Sequence, residues 1–297
     1  MWGQMVWREI NITVPFEFVE PVSYLFSRYG RGLSMELDQD DRILLRTYLQ
    51  DTSRQRLARI EVGIKLVNIL EPLGELKITD LPDDEDWRDN WKAHFNLLRV
   101  GRRLVIKPSW IEYQASPGEL LIELDPGMAF GTGYHPTTYG CLEAIEQEVR
   151  PGMIVLDLGT GSGILAITAL KLGAAQVVAL DQDPQAVRAA RQNFRRARVQ
   201  RHISLAQGTV PHPLAGPGLF DLAVANISDR AIRERAPFIV PALTPQGLFI
   251  ASGILDKERE RVDDALGDLG FSPVETRHHE DWVTTTYGRD TGRQNPT

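Results

Sequence analysis

The chain has 297 residues, 42% hydrophobic and 25% charged, with a formal net charge of −7, enough for one large or two modest domains of ordinary globular balance. No apolar run approaches the ~20 residues of a membrane span, Met1-Trp2-Gly3-Gln4-Met5 lacks the basic region and apolar core of a secretory signal, and Cys141 as the single cysteine excludes a disulfide framework or a multi-cysteine metal site. The acidic balance argues against nucleic acid as main partner and suits a basic one, so a cytoplasmic protein is expected, with no membrane association, no metal and no direct nucleic-acid contact.

In chain order, Ile10, Ile12 and Val14 alternate with polar residues as in a half-buried strand. A helix over Phe16 to Tyr29 ends at Gly30 and Gly32; strands over Leu33 to Leu37 and Arg42 to Leu49 flank a polar turn at Asp38 to Asp41. An amphipathic helix runs from Asp51, read as its N-cap, to Leu70, and Glu75 to Leu81 is a strand. The order β-α-β-β-α-β is that of a ferredoxin-like α+β sandwich over residues 1–81. With no cluster of potential catalytic residues, this unit reads as a docking module.

Residues 82–96 form a linker helix. Pro82 to Asp86 break the pattern, and Trp87, Trp91 and Phe95 then recur every four residues along one helical face. These aromatics either glue the linker to a core or grip a substrate. The second domain, 97–289, opens with strands at Arg103 to Ile106 and Leu120 to Leu124 and thereafter alternates strand and helix. Strands are expected at Val155 to Leu158, Val177 to Asp181, Ile203 to Gln207, Leu219 to Ala225 and Leu248 to Ser252, with helices at Pro184 to Arg196, Asp229 to Leu243 and Lys257 to Leu269. That alternation implies a mostly parallel sheet covered on both faces. Phe271 to Thr276 and Trp282 to Tyr287 are too closely spaced for a crossover and must pair as an antiparallel hairpin. Residues 290–297 read as a flexible tail. Arg188, Arg191, Arg195, Arg196, Arg198 and Arg201 read as a solvated helix face and its exit loop, with a contact to RNA on a larger particle as the alternative.

The chemistry concentrates around Gly159-Thr160-Gly161-Ser162-Gly163. This turn lies between the strand ending Asp157-Leu158 and the apolar helix Ile164 to Ile167, so a ligand can sit against bare backbone at a helix N-terminus. Asp181 ends the next strand, 22 positions after Gly159, where doubly wound folds hold a ribose hydroxyl pair. The glycine spacing departs from the Gly-x-Gly-x-x-Gly of dinucleotide enzymes, and Asp157 suits a cationic, amino-acid-bearing ligand better than a diphosphate; alternatively it caps the turn. S-adenosylmethionine fits that description. Upstream, three glycines and two prolines between Asp125 and Thr138 dictate a shaped loop, either closing over a ligand or serving as a rigid connection; Thr137 or Thr138 then opens a helix.

At these residues the chain closely resembles the PrmA-type methyltransferases, which modify the large-subunit ribosomal protein numbered eleven. The resemblance lies in the 125–138 loop, in Val155 to Ile167, in Ala225-Asn226-Ile227, in Trp87 to Trp110 and in Glu280 to Thr284. It is dense from about Trp87 to Tyr287 and only architectural before that. It implies a class I (Rossmann-like) S-adenosylmethionine-dependent methyltransferase domain behind a ferredoxin-like domain that binds the ribosomal protein, with methylation of lysine side chains and/or the N-terminal α-amine.

By position, Thr138, Gly159, Asp181 and Asn226 match the family's cofactor-contacting residues, and Gly161 and Asp157 join them from the reading of the turn. The acceptor amine must lose a proton before attack, readily for an α-amine and only with help from burial for a lysine. Phe130, Tyr134 and His135 are placed in the substrate pocket, with Met128 a further lining candidate. Asn226 is taken as the catalytic residue that orients the amine, and His135 is the one obvious general base nearby. Two departures, Tyr134 for a usual threonine and Ser228 for a usual leucine, flank the expected transfer site. The alternatives are a lysine methyltransferase for another protein, a nicotinamide oxidoreductase on the same half-fold, and a non-catalytic ribosome-binding module.

Overall fold

The computed structural model describes residues 7–37, 42–70, 72–81, 97–107, 111–124 and 135–290. The polar turn Asp38 to Asp41, the linker aromatics Trp87, Trp91 and Phe95, the loop residues Met128, Phe130 and Tyr134, Trp110, and the tail from Thr291 lie outside the described residues.

The first unit has strands β1 (Trp7–Pro15), β2 (Arg31–Leu37), β3 (Arg42–Gln50) and β4 (Lys77–Leu81) and helices α1 (Phe16–Tyr29) and α2 (Arg54–Leu70). Its antiparallel sheet has the order β2-β3-β1-β4. Alternation in β1 puts Ile10, Ile12 and Val14 on the inner face, where they meet Val19, Val22 and Phe26 of α1 and Ile60 and Ile64 of α2. Gly30 stops α1, its N–H bonding the Phe26 carbonyl at 2.7 Å. Helix α2 starts later than Asp51, because residues 51–52 form the turn that reverses the chain after β3 and the Ser53 carbonyl accepts the first helical amides. The outer face of α2 leaves Val62, Leu66 and Ile69 exposed at helical spacing.

A small sheet follows, with β5 (Leu98–Val100) antiparallel to β6 (Leu104–Lys107) and β6 parallel to β7 (Leu120–Glu123). Strand β5 was not expected; three residues are too few to display a period of two.

The main domain is a seven-stranded sheet of order β10-β9-β8-β11-β12-β14-β13. Its strands are β8 (Ile154–Leu158), β9 (Gln176–Asp181), β10 (Ile203–Gln207), β11 (Phe220–Asn226), β12 (Leu243–Leu255), β13 (Phe271–His279) and β14 (Trp282–Arg289). The first five in spatial order pair in parallel; β14 enters antiparallel to both β12 and β13, as the hairpin spacing requires. Helices α3 (Pro136–Glu148), α4 (Ile164–Lys171) and α5 (Pro184–Arg196) cover one face through Leu142, Ile145, Leu165, Ile167, Ala190 and Phe194. Helices α6 (Asp229–Ala242) and α7 (Arg259–Gly267) cover the other through Ile232, Ala236, Ile239, Val262 and Leu266. This is the α/β architecture of class I methyltransferases. The strand order reverses at β8, between β9 and β11, which opens a crevice beyond their carboxyl ends. Among the described residues no helix is long and apolar enough to cross a membrane.

Candidate functional site

A cleft of about 540 Å³ lies at that reversal, lined by Leu158 and Gly159 at the end of β8, Asp181 and Asp183 at the end of β9, and Asn226 and Ile227 at the end of β11. The glycine turn owes its shape to backbone conformations that side chains resist. Gly159 and Gly163 sit at φ +75° and +85°, and a Cβ would stand 2.5 Å from Ile227 Cγ2 at Gly159 and 2.3 Å from the Phe194 ring at Gly163. Helix α5 braces the turn a second time: buried Asn193 donates its amide to the Ser162 carbonyl at 2.8 Å.

Four of the turn's five backbone amides are spent inside the protein. The amides of Gly159 and Thr160 donate to the Leu180 carbonyl at 2.8 and 3.0 Å, and that of Gly163 to the Thr160 carbonyl at 2.8 Å. The Gly161 amide donates to Asp181 Oδ2 at 2.9 Å, while Asp181 Oδ1 accepts from the Asp183 amide at 2.9 Å. A phosphate cradle at a helix N-terminus needs those N–H groups free, so this turn is not one. The half-buried Asp181 carboxylate is held rigidly at the cleft wall. Each of its oxygens has further lone-pair capacity for a hydroxyl.

Asp157 lies on the central strand β8 and is fully buried. The Thr160 hydroxyl donates to its Oδ2 at 2.6 Å, and its buried Oδ1 has no hydrogen-bond partner. Burial pushes its pKa up to about 7 against the lowering effects of the Thr160 hydroxyl and the Ala166 backbone amide, with Asp181 adding a repulsive contribution. A buried carboxylate oxygen without a partner is costly in isolation, and a cationic group would satisfy it. Gly159, Gly161 and Asp181 line the cleft, whereas Asp157, fully buried on β8, is not among its lining residues.

Thr138 is buried in the first turn of α3 and accepts at Oγ1 from Asn226 Nδ2 at 3.2 Å, so the two residues expected to act together are in contact. His135 is placed differently. Its ring is 4% exposed and caps α3, Nδ1 accepting from the Thr137 amide at 3.3 Å and facing the Thr137 hydroxyl at 2.8 Å, with Trp282 edge-on at 5.2 Å. Burial pushes its pKa down to about 4, partly offset by a hydrogen bond to the Glu17 backbone. It is a neutral helix cap and does not line the cleft. Ser228 likewise has a structural account: its hydroxyl caps α6 by accepting from the Ala231 amide. Cys141 is buried and its thiol is pushed up to about 12, which makes it unreactive.

The cleft also takes in Asp183, Gly208, Thr209, Glu234 and Arg235, together with Tyr24 of α1, none of which the sequence singled out. For Gly208 and Thr209 a signal existed, since they directly follow β10 on the carboxyl edge of the sheet, where ligands of such folds bind.

The family model for ribosomal protein L11 methyltransferase (PrmA) matches residues 6–290. The ribosomal protein L11 methyltransferase of Chloroflexus aurantiacus is 40% identical over 95% of this chain and 98% of that protein, and the one of Herpetosiphon aurantiacus is 36% identical over 95% and 99%. A crystal structure of ribosomal protein L11 methylase from Lactobacillus delbrueckii subsp. bulgaricus superposes with a TM-score of 0.58 at 32% identity, covering 66% of this chain and 99% of that one. With a family match over nearly its whole length and relatives of this similarity, the chain belongs to the ribosomal protein L11 methyltransferase (PrmA) family.

Proposed function

We propose that the protein is an S-adenosylmethionine-dependent N-methyltransferase that methylates lysine side chains and/or the α-amine of ribosomal protein L11. The observation that carries the choice of cofactor is the pairing of a glycine turn with four of its five amides already spent and a buried Asp157 oxygen with no hydrogen-bond partner. That pairing offers a diphosphate little and offers an ammonium a counter-ion, which disfavours the nicotinamide reading. Asp181 would take the ribose hydroxyls, Asp157 the amino group directly or through water, Gly159 and Gly161 the close backbone approach, and Thr138 with Asn226 the far wall. When bound, the cofactor supplies a methyl already activated on a sulfonium, so the protein's task is alignment more than bond polarisation.

Asn226 is the residue assigned to the acceptor amine. Its Nδ2 is occupied by Thr138, which leaves the carboxamide oxygen to orient an amine N–H. His135 is not assigned as the base, since a ring with a pKa near 4 whose Nδ1 caps a helix has little hold on a proton. The amine is instead expected to arrive neutral, an α-amine readily and a lysine through desolvation.

Residues 1–81 are read as a ferredoxin-like substrate-recognition domain and 97–289 as the methyltransferase domain; the linker 82–96 lies outside the described residues. The strand order β2-β3-β1-β4 and the exposed Val62, Leu66 and Ile69 of α2 support a docking role for the first. Incubation with methyl-labelled S-adenosylmethionine and purified L11, followed by intact-mass and peptide mass spectrometry, should show mass gains in steps of one methyl on amines. Absence of transfer to L11 while another protein is labelled would overturn the substrate, and failure to bind S-adenosylhomocysteine would overturn the reading altogether.

A further inference from the structure

Between Asp183 and Asp221 the chain holds no acidic residue and no lysine, yet six arginines, in a protein of net charge −7. Helix α5 and its exit place them together. Its buried side is Ala186, Val187, Ala190, Asn193 and Phe194; Arg188, Arg191 and Arg195 fall at i, i+3 and i+7 on the exposed side, with rungs about 4.5 and 6 Å apart along the axis. Arg198 and Arg201 continue the exposed surface beyond the helix.

Two observations separate this face from an ordinary solvated one. On α6 and at α7 four arginines are neutralised locally, in Arg230–Glu234, Arg233–Asp229, Arg259–Asp263 and Arg261–Glu258. Among the described residues, Arg188, Arg191, Arg195, Arg198 and Arg201 make no such pair. The second concerns how α5 ends. The Val199 amide bonds the Phe194 carbonyl at 3.0 Å and the Arg198 amide the Arg195 carbonyl at 3.1 Å, which puts Arg198 in the left-handed position of a Schellman ending, at φ 58°. Glycine or asparagine is the usual occupant, so an arginine is held here against backbone preference and presented at the tip of the charged face.

We propose that the arginine face of α5 and its exit turn is a docking surface for structured RNA. Charge complementarity requires a polyanion. Arginine without lysine favours bidentate phosphate contact and stacking on bases, and exposed Gln192 and Gln200 add donors and acceptors between the arginines. An anionic membrane is disfavoured, because residues 184–202 expose no large apolar side chain to insert. A basic protein would be repelled, so this surface is separate from any that holds a basic ribosomal protein. RNA along α5 would lie beside the cleft, which Asp183 lines at the helix N-terminus.

The test is fluorescence anisotropy of the full chain with a labelled RNA hairpin across a salt series. Five phosphate contacts predict a log–log salt slope of about −4.5, so that affinity falls roughly 500-fold from about 50 to about 200 mM salt. The triple variant Arg188→Glu, Arg191→Glu, Arg195→Glu should lose more than about tenfold in affinity at low salt and flatten the slope by about 3, while methyl transfer to free L11 persists and reports an intact fold. Arg198→Gly should flatten the slope by about 1 without lowering the melting temperature, which keeps the proposal testable should the triple variant not fold. No binding at the lowest salt, or a hairpin affinity unmoved by these substitutions, overturns the proposal. So does polyglutamate binding to the same face as tightly as RNA, which would point to an acidic protein instead.

Discussion

If Asp157 is the counter-ion of the cofactor's amino group, cofactor affinity must follow its ionisation. Burial on β8 leaves Oδ1 without a partner and puts the folded pKa at about 7. The ionised fraction of the free protein then rises from roughly a tenth at about pH 6 to roughly three-quarters at about pH 7.5. Apparent affinity scales with the competent fraction, so the dissociation constant for S-adenosylhomocysteine should fall about eightfold over that range. The proton lost on binding is measurable by calorimetry in buffers of different ionisation enthalpy, approaching about 0.9 per site at the acid end. Asp157→Asn should abolish both the pH dependence and the proton release and bind more weakly at about pH 7.5, since it removes the charge. Stability runs the other way. A carboxyl with a folded pKa above its unfolded value of about 4 binds more protons when folded, so its contribution falls as pH rises from about 4 to about 7. Ligand-free Asp157→Asn should therefore be the more stable protein at about pH 8. A dissociation constant that is flat with pH in the wild type and unchanged in the variant would refute the assignment.

Asp181→Ala removes the acceptor of two backbone amides as well as the proposed ribose contact. At about 1.5–3 kcal/mol per bond to a charged acceptor, the expected loss of S-adenosylhomocysteine affinity is a hundredfold or more by calorimetry; unchanged affinity places the ribose elsewhere. Gly163→Ala forces a Cβ to 2.3 Å from Phe194 at φ +85° and should lower unfolding stability by about 2 kcal/mol or more, read as a lower urea midpoint; a neutral effect would mean the turn rearranges freely. His135→Asn keeps an N-capping acceptor and should retain kcat/KM within a few-fold, with no inflection near the ordinary histidine pKa of about 6.5 in the wild-type profile. A loss of about a hundredfold would instead identify His135 as a base.

The parts of the fold legible in the sequence are those whose physics is local. Alternation in Ile10, Ile12 and Val14, the glycine stop at Gly30 and the short gap between the last two strands each specify an element without reference to the rest of the chain. Strand β5 lacked the length to show a period, and the start of α2 was displaced because the turn after β3 takes up Asp51. The same division runs through the site. Gly159, Gly161 and Asp181 share one strand–turn–helix–strand unit, so their roles can be read from spacing. Glu234, Arg235 and Tyr24 reach the cleft only through the way distant elements pack, and no spacing encodes that. His135 was legible in principle: a side chain directly before Pro136, with Thr137 next, stands at a helix N-cap position, and the capping bonds that hold it there leave it a poor base.

Net charge shows a related limit of sequence-wide quantities. A total of −7 describes the partner of a surface only if acids and bases are mixed over it, as they are on α6 and α7, where four arginines meet a carboxylate within four residues. Along α5 they are unmixed, because no acid occurs between Asp183 and Asp221. With a screening length of about 8–10 Å at ordinary ionic strength, a polyanion approaching that face feels the five arginines that meet no acid among the described residues, and little of the acidic remainder. The local field, and not the sum, decides what can dock there, and the salt slope of binding is the measurement that counts those charges one by one.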